Sequence, residues 1–486
     1  MKMIYGVSDR PGIGKTLLFA LQQLLAIVSA TIAVPMIVGN GLQPSAALFG
    51  AGVATIIYLL ITKFKSPVFF GSSFAFIGSM TAAFAGAVSM QLGYLGIIIG
   101  SVFAGLVSII AGLLVKKFGV DWIYKLLPYA VIGPVVAIIG LSLAGTAVSG
   151  VWTSTATTSP WVAFAVAMVT LFSTIAVSIY GKNMMKLIPF AIGIGIGYVF
   201  SLILTGIGYA ADTDWLKVID FTPFTQMQWY PDFTFLNAFK GFKDLTWGYV
   251  GTVALAFIPV SIVTMTEHIA DHQNLSTIIE KDLFRDPGLH RTLIGDGLAD
   301  AVGAAFGGCS TTSYGESLAC VALTKNASTI SIFTAALMAM VVSFIGPISA
   351  LLSTIPSCVL NAVCFLLYGF IAISGLKMIK NVDLEDNRNV FVISVILIAG
   401  VGGLTLNFGK VTITTVACSL ILGILVNLLV SPSRKLEKER GIKNQKDLIY
   451  TDTPDENHYR QMEINDFIEN FNEQVENTVN SNSADK

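Results

Sequence analysis

Long apolar runs, separated by short clusters of charge, restrict this chain's fold more than any other feature. Runs near 16–38, 45–62, 91–115, 125–147, 160–180, 186–208, 246–268, 291–307, 328–351, 355–376, 389–407 and 411–431 are each close to a full membrane span, because a helix needs about 20 apolar residues to cross a bilayer. Two further stretches, about 74–88 and 315–325, are too short for an ordinary span. Counting them gives 14 crossings. Only 12% of the 486 residues are charged, where a soluble domain carries about 25%.

The positive-inside rule supports that count. With the N-terminus inside, the cytoplasmic connections hold Lys2, Arg10 and Lys15; Lys63 and Lys65; Lys116, Lys117 and Lys125; Lys182 and Lys186; Lys281, Arg285 and Arg291; Lys325; and Lys377, Lys380 and Arg388. Arg434, Lys435 and Lys438 open the tail. The outside connections near 39–45, 88–91, 148–159 and 352–355 carry neither Lys nor Arg. The alternation holds only when both short segments cross. The sequence thus predicts an all-α polytopic membrane protein with both termini cytoplasmic. Its parts are a first repeat (1–208), an extracytoplasmic connecting loop (209–245), a second repeat (246–432) and a mobile polar tail (433–486). No cleavable leader is expected, because no short apolar stretch with a small-residue cleavage site opens the chain.

A net charge of −1 gives no field for nucleic acid. The five cysteines form no CxxC pair and lie mostly in apolar runs, so neither a zinc site nor a disulfide framework is expected. Pro11-Gly-Ile-Gly-Lys-Thr16 imitates a phosphate-binding loop. It has Asp9 where the motif needs Gly, and it precedes a membrane span rather than following a strand.

The two short segments have similar make-up. One opens with Gly71-Ser-Ser-Phe-Ala-Phe-Ile-Gly78 and the other with Gly308-Cys-Ser-Thr-Thr-Ser-Tyr-Gly-Glu316. Each is extended-looking, rich in Gly and hydroxyl residues, and followed by a short helix-like run. Interrupted segments in matching halves point to a midplane transport site between repeats. Seven crossings per half make the repeats inverted. Non-helical backbone at that depth must be buried in protein or line a cavity.

Ionisable groups within spans are costly and default to function. Thr266-Glu-His-Ile-Ala-Asp-His272 places Glu267 and Asp271 at i and i+4, on one helix face at the inner end of the predicted span 246–268. A carboxylate pair there could carry a proton. Glu316 falls at the start of the second short helix, where unpaired N–H groups favour a carboxylate and could hold a substrate carbonyl. Near Phe74 and Gly315 two helix N-termini offer donors, and Phe74 or Tyr314 could stack on a flat ring. Asp296 and Asp300 read as polar packing at a cytoplasmic helix end. Gln22 and Gln23 serve equally well as interhelical hydrogen bonds or ligand contacts. No nucleophile–base or metal-ligand set accompanies these groups: the His268/His272 pair has no third ligand, so no enzyme and no cofactor or metal is expected.

Gly6-Val-Ser-Asp-Arg-Pro11, Gly71-Ser-Ser-Phe-Ala-Phe76, Thr266-Glu-His268, Lys281-Asp-Leu-Phe-Arg-Asp-Pro-Gly-Leu-His-Arg291 and Thr312-Ser-Tyr-Gly-Glu316 together resemble the nucleobase–ascorbate transporter family, over nearly the whole chain except the tail. The resemblance implies a bacterial inner-membrane protein of 14 segments in two inverted repeats of seven. Segments 3 and 10 would be built from short antiparallel strands and half-helices. The segments would divide into a core domain and a gate domain, with homodimers formed through the gates. It also implies that Glu267, Glu316 and the backbone amides of Phe74 and Gly315 bind a nucleobase, with uptake driven by proton symport. Uracil, with two ring N–H donors, two carbonyls and one flat ring, suits this set, and xanthine shares most of it. Glu316 favours a pyrimidine, because purine carriers of the family usually have Gln there. Asp271 stands where uracil carriers have His and is common in purine carriers, with His272 one residue further on. Gln23 replaces another His. Glu267, Asp271, Glu316 and His272 are the candidates for proton coupling.

Overall fold

The computed structural model describes residues 3–430 except 121, 124–126, 155, 157–158, 183–184, 186–187, 226, 228 and 409–410. Lys2, Lys125, Lys186, Arg434, Lys435, Lys438 and the tail 433–486 therefore lie outside the described residues. Met1–Gly119 and Tyr129–Val430 make up one compact unit. The other comprises Val120–Pro128 and Ser431–Lys486, and only residues 120, 122–123 and 127–128 of it are described.

In chain order the elements are α1 (Ile13–Val38), α2 (Pro44–Ile61), β1 (Phe70–Ser72), α3 (Ile77–Ala85), α4 (Met90–Phe118), α5 (Tyr129–Ser142), α6 (Ala144–Gly150), α7 (Pro160–Tyr180) and α8 (Pro189–Ala210). Short turns of helix punctuate 214–244. There follow α9 (Trp247–Ile279), α10 (Leu289–Gly307), β2 (Thr311–Ser313), α11 (Gly315–Thr324), α12 (Thr329–Ser343), α13 (Gly346–Ser353), α14 (Ser357–Ile379), α15 (Asn387–Val401), β3 (Leu406–Phe408), β4 (Val411–Ile413) and α16 (Thr415–Val430). Among the described residues, 8 helices are long and apolar enough to cross a membrane, or 9 with the bent pair α12–α13.

Every predicted apolar run forms helix, and four depart from their predicted shape. The run 328–351 is not one straight helix. It breaks between α12 and α13 with an 83° bend, just before Gly346-Pro347, because Pro can open a helix but not continue one. The run 246–268 does not end at its carboxylates. α9 continues to Ile279, and its 33 residues span roughly 50 Å. The runs 389–407 and 411–431 are shortened to 15 and 16 residues, because β-branched residues around 411–414 pair as the β3–β4 hairpin instead.

The helices pack in two sets. α10 lies most extensively on α4 and α2, and α9 joins them through α4. In the other set α14 packs on α5 and α7, with α15 on α5 and α16. Glycine permits the closest crossing in the first set. A Cβ on Gly105 of α4 would stand 2.2 Å from the Gly297 carbonyl oxygen of α10, and one on Gly297 would stand 2.3 Å from the Gly105 oxygen. Small residues at such crossings let backbones approach where no hydrophobic effect drives helices together.

Candidate functional site

β1 and β2 pair antiparallel, with Phe70 opposite Ser313, Gly71 opposite Thr312 and Ser72 opposite Thr311. Ser73 N–H donates to the Ser310 carbonyl at 2.7 Å, and Tyr314 N–H to the Phe69 carbonyl at 3.2 Å. Side chains satisfy strand groups the partner strand leaves over. Phe69 N–H donates to Ser317 Oγ (3.0 Å) and Phe70 N–H to Thr55 Oγ1 (3.0 Å). Gln23 Nε2 donates to the same Ser317 oxygen, which makes it an interhelical brace. A two-stranded sheet inside a helical membrane protein requires such closure, since an open edge there would have no water to pair with.

The strand leads directly into α11. Tyr314 is extended (φ −101°, ψ 125°), Gly315 begins the helix and Glu316 is its second residue. Gly315 is exposed, and nothing lies within 4 Å of the point where a Cβ would sit. The first N–H groups of a helix have no intrahelical acceptor, so this end of α11 presents donors to open space. Glu316 is half-buried beside it.

α9 supplies the facing wall. Glu267 and Asp271 are half-buried on one stripe of the helix. Ser313 Oγ, from the end of β2, donates to Asp271 Oδ2 at 3.1 Å. The charges of Glu267, Asp271 and Glu316 act on one another. No Lys or Arg ion-pairs with any of them among the described residues. Three acids, one hydroxyl and a helix N-terminus are thus within electrostatic or hydrogen-bonding reach of one another, a set that holds both acceptors and donors. A separate cavity of about 480 Å³, lined by Pro35, Gln43, Ser45, Tyr230, Asp232 and Ser349 among others, shares no residue with this cluster.

The remaining candidates are placed differently. Phe74 stands in a turn three residues ahead of α3 rather than at the helix end. Its ring is 8% exposed and meets Tyr368 of α14 edge-on at 5.9 Å and 77°. Tyr314 is 4% exposed. Its ring covers Gly71, where a Cβ would lie 2.4 Å from it, and its hydroxyl donates to the Ser72 carbonyl at 2.8 Å. It bolts the strands together rather than standing open for stacking. His272 does not join the acids. It faces α2, with Nδ1 2.8 Å from the His268 carbonyl and Nε2 2.5 Å from the Tyr58 hydroxyl. One residue's offset turns a helical side chain by about 100°.

Asp296 and Asp300 are not at a solvated helix end. Both are in the middle of α10, 6% and 4% exposed. Asp300 Oδ1 accepts the Thr311 N–H of β2 at 2.9 Å, and Asp296 Oδ2 accepts from Ser108 of α4 at 3.1 Å. Ser313 and Tyr368 carried no charge signal and were missed.

A multi-pass integral membrane protein with an acidic cluster beside two broken segments is built as a transporter, and its relatives place it in that class. Residues 14–409 match the Permease family, Xan_ur_permease, and the chain belongs to that family, among the nucleobase–ascorbate transporters. It is 38% identical to the uracil permease of Bacillus caldolyticus over 453 residues, which cover 92% of this chain and 99% of the relative. It is 38% identical to the uracil permease of Bacillus subtilis (89% and 97% covered) and 32% identical to that of Escherichia coli (92% and 98%). Solved structures share the fold at low identity. The transmembrane domain of the cyanobacterial bicarbonate transporter BicA aligns with TM-score 0.58 and 14% identity over 88% of this chain and 99% of that one. Murine Slc26a9, an anion transporter, aligns with TM-score 0.59 and 13% identity over 87% and 69%.

Proposed function

We propose that this chain is a proton-coupled nucleobase importer of the bacterial plasma membrane, with uracil as its cargo. One observation carries the proposal: Glu267 lies within electrostatic reach of Glu316, the second residue of α11, whose first residue is exposed, and no Lys or Arg ion-pairs with either acid among the described residues. The carboxylates accept the two ring N–H groups. The amides at Gly315 and Phe74 donate to the ring carbonyls, and Phe74 flanks the ring plane. Relatives named as uracil permeases, matched along nearly their whole length, support this choice of cargo. Two solved structures that share the fold are a bicarbonate transporter and an anion transporter. Three carboxyl groups would repel an anion and suit a neutral ring.

A proton shared among Glu267, Asp271 and Glu316 couples cargo to the gradient. The 14 segments form two inverted repeats of seven, and β1–α3 and β2–α11 are the broken segments of each. A core built on α1–α4 and α9–α13 moves against a gate of α5–α8 and α14–α16, giving alternating access. The two packing sets support that division. The protein works as a homodimer through the gates, with both termini cytoplasmic.

Uptake of labelled uracil into proteoliposomes, with and without an inward proton gradient, tests the function, with unlabelled xanthine as competitor. Gradient-driven uptake that xanthine leaves unchanged is the expected result. Accumulation of labelled xanthine with no uracil uptake would make Asp271 the better guide and the protein a purine carrier.

A further inference from the structure

α9 carries a second polar stripe that the substrate site does not use. His268 is 0% exposed, and neither ring nitrogen makes a hydrogen bond among the described residues. Nδ1 stands 3.3 Å from Asp296 Oδ1, close enough for an ion pair. One turn on, His272 stacks on it with ring centroids 4.1 Å apart. The two rings are in opposite situations. His272 Nδ1 donates to a carbonyl, while Nε2 meets the hydroxyls of Tyr58 and Ser66 (3.1 Å); Tyr58 donates to Ser66 Oγ at 2.8 Å, which leaves Ser66 to donate to Nε2. Both nitrogens are thus matched in the neutral Nδ1–H form. His268 has no such arrangement. Either form can turn Nδ1–H toward Asp296 Oδ1 while Nε2 stays unmatched; only the imidazolium also cancels the Asp296 charge.

The groups facing His268 set the consequence. Tyr58 of α2 and Phe70 of β1 present ring faces or edges at 6.2 and 6.5 Å. α10 presents Asp296, with Asp300 beyond it. On α9 itself are Glu267, Asp271 and His272. Asp296 acts electrostatically on Glu267, Asp271 and Asp300. No Lys or Arg ion-pairs in this group among the described residues, so His268 is the one nearby side chain able to offset Asp296.

We propose that His268 is a positioning residue for proton coupling, which acts through Asp296 on the carboxyls that bind cargo. With a proton on His268 the ion pair cancels the Asp296 charge, and Glu267 and Asp271 can remain carboxylates ready to accept ring N–H groups. When His268 gives that proton up, the bare Asp296 charge favours protonation of Glu267 or Asp271, and the cargo loses its acceptor. One N–H bond breaks at the imidazole and one O–H bond forms at a carboxyl, so a single proton is conserved. This rests on the proton-coupled reading given above.

His268→Asn keeps a donor toward Asp296 but cannot titrate. With the Asp296 charge never cancelled, purified H268N should bind labelled uracil about tenfold more weakly than the unsubstituted protein at the pH of tightest binding, and should still exchange it across proteoliposomes. Its affinity should lose most of its pH dependence, and gradient-driven accumulation should fall by on the order of tenfold. Wild-type pH profile and accumulation in H268N would overturn the role. So would parallel loss of binding and exchange in both H268N and His268→Gln while each remains monodisperse, since that is a packing effect. The unsubstituted protein gives a further check: uracil affinity that is flat from about pH 5 to about pH 8 overturns it without any variant. Wild-type uptake indifferent to the gradient would instead sink the coupling reading, while the binding pH profiles still judge His268 separately.

Discussion

The two broken segments are built alike and do different work. Each has a three-residue strand and a short helix, of 9 residues in α3 and 10 in α11. In the first, four residues intervene between strand and helix, and Phe76 is buried against Phe257 of α9, stacked at 5.5 Å and 23°. Ser79 donates to the Ala256 carbonyl at 2.7 Å. That helix is pinned along the α9 wall and carries no charge in its first turn. In the second segment the strand turns straight into a helix whose first residue is exposed and whose second is acidic. A matching backbone therefore gives an apolar support on one side and a polar, open end on the other. Glycine at 71 and tyrosine at 314 lock the two together.

Substitutions can test that division. Glu316→Gln removes a charged acceptor and should weaken uracil binding by about 10- to 100-fold, from about 1.5–3 kcal/mol for a hydrogen bond to a charged group. Equilibrium binding to purified protein reads this, and an unchanged affinity would remove the second unit from the site. Gly71→Ala drives a methyl into the Tyr314 ring and should destabilise the protein by about 1–3 kcal/mol, visible as a lower Tm in detergent. An unaltered Tm would mean the strand crossing has slack. Phe74→Ala should cost about 0.5–1.5 kcal/mol of binding through lost ring contact, or roughly threefold to tenfold. A loss greater than that of Glu316→Gln would reverse the assignment of support and polar end. Ser313→Ala should have the smallest effect, about 0.5–1 kcal/mol in uracil affinity. An effect as large as that of Glu316→Gln would make Asp271, rather than Glu316, the principal acceptor.

Apolar runs fixed the positions of nearly every helix in advance, because about 20 residues of hydrocarbon-compatible side chain have few other uses. The acids at 267, 271 and 316 were legible for the converse reason: a charge inside such a run demands a purpose. The ends were less legible. Hydropathy falls after His268, yet α9 continues, because its polar stripe is satisfied by β2 and α10 rather than by water. The break at Gly346-Pro347 had a clear local signal that a run of hydropathy averages away. Roles that depend on which way a side chain turns could not be read from order alone. Tyr314 and His272 belong to the right motifs and point elsewhere. His268 lay in view within the same seven residues, but its partner Asp296 is on another helix, and only packing brings the two together.

The strand pairing of Phe70 with Ser313 also bears on biosynthesis. A ribosome that has delivered the first strand still has about half of the chain to make before the complementary strand exists. Until then the backbone of 70–72 has no strand partner in the membrane and needs water, lipid headgroups or an insertion factor to shelter it. The strand pair is thus finished at the moment residue 313 arrives. A chain stopped between residues 210 and 310 would hold every helix of the first half and no partner for β1.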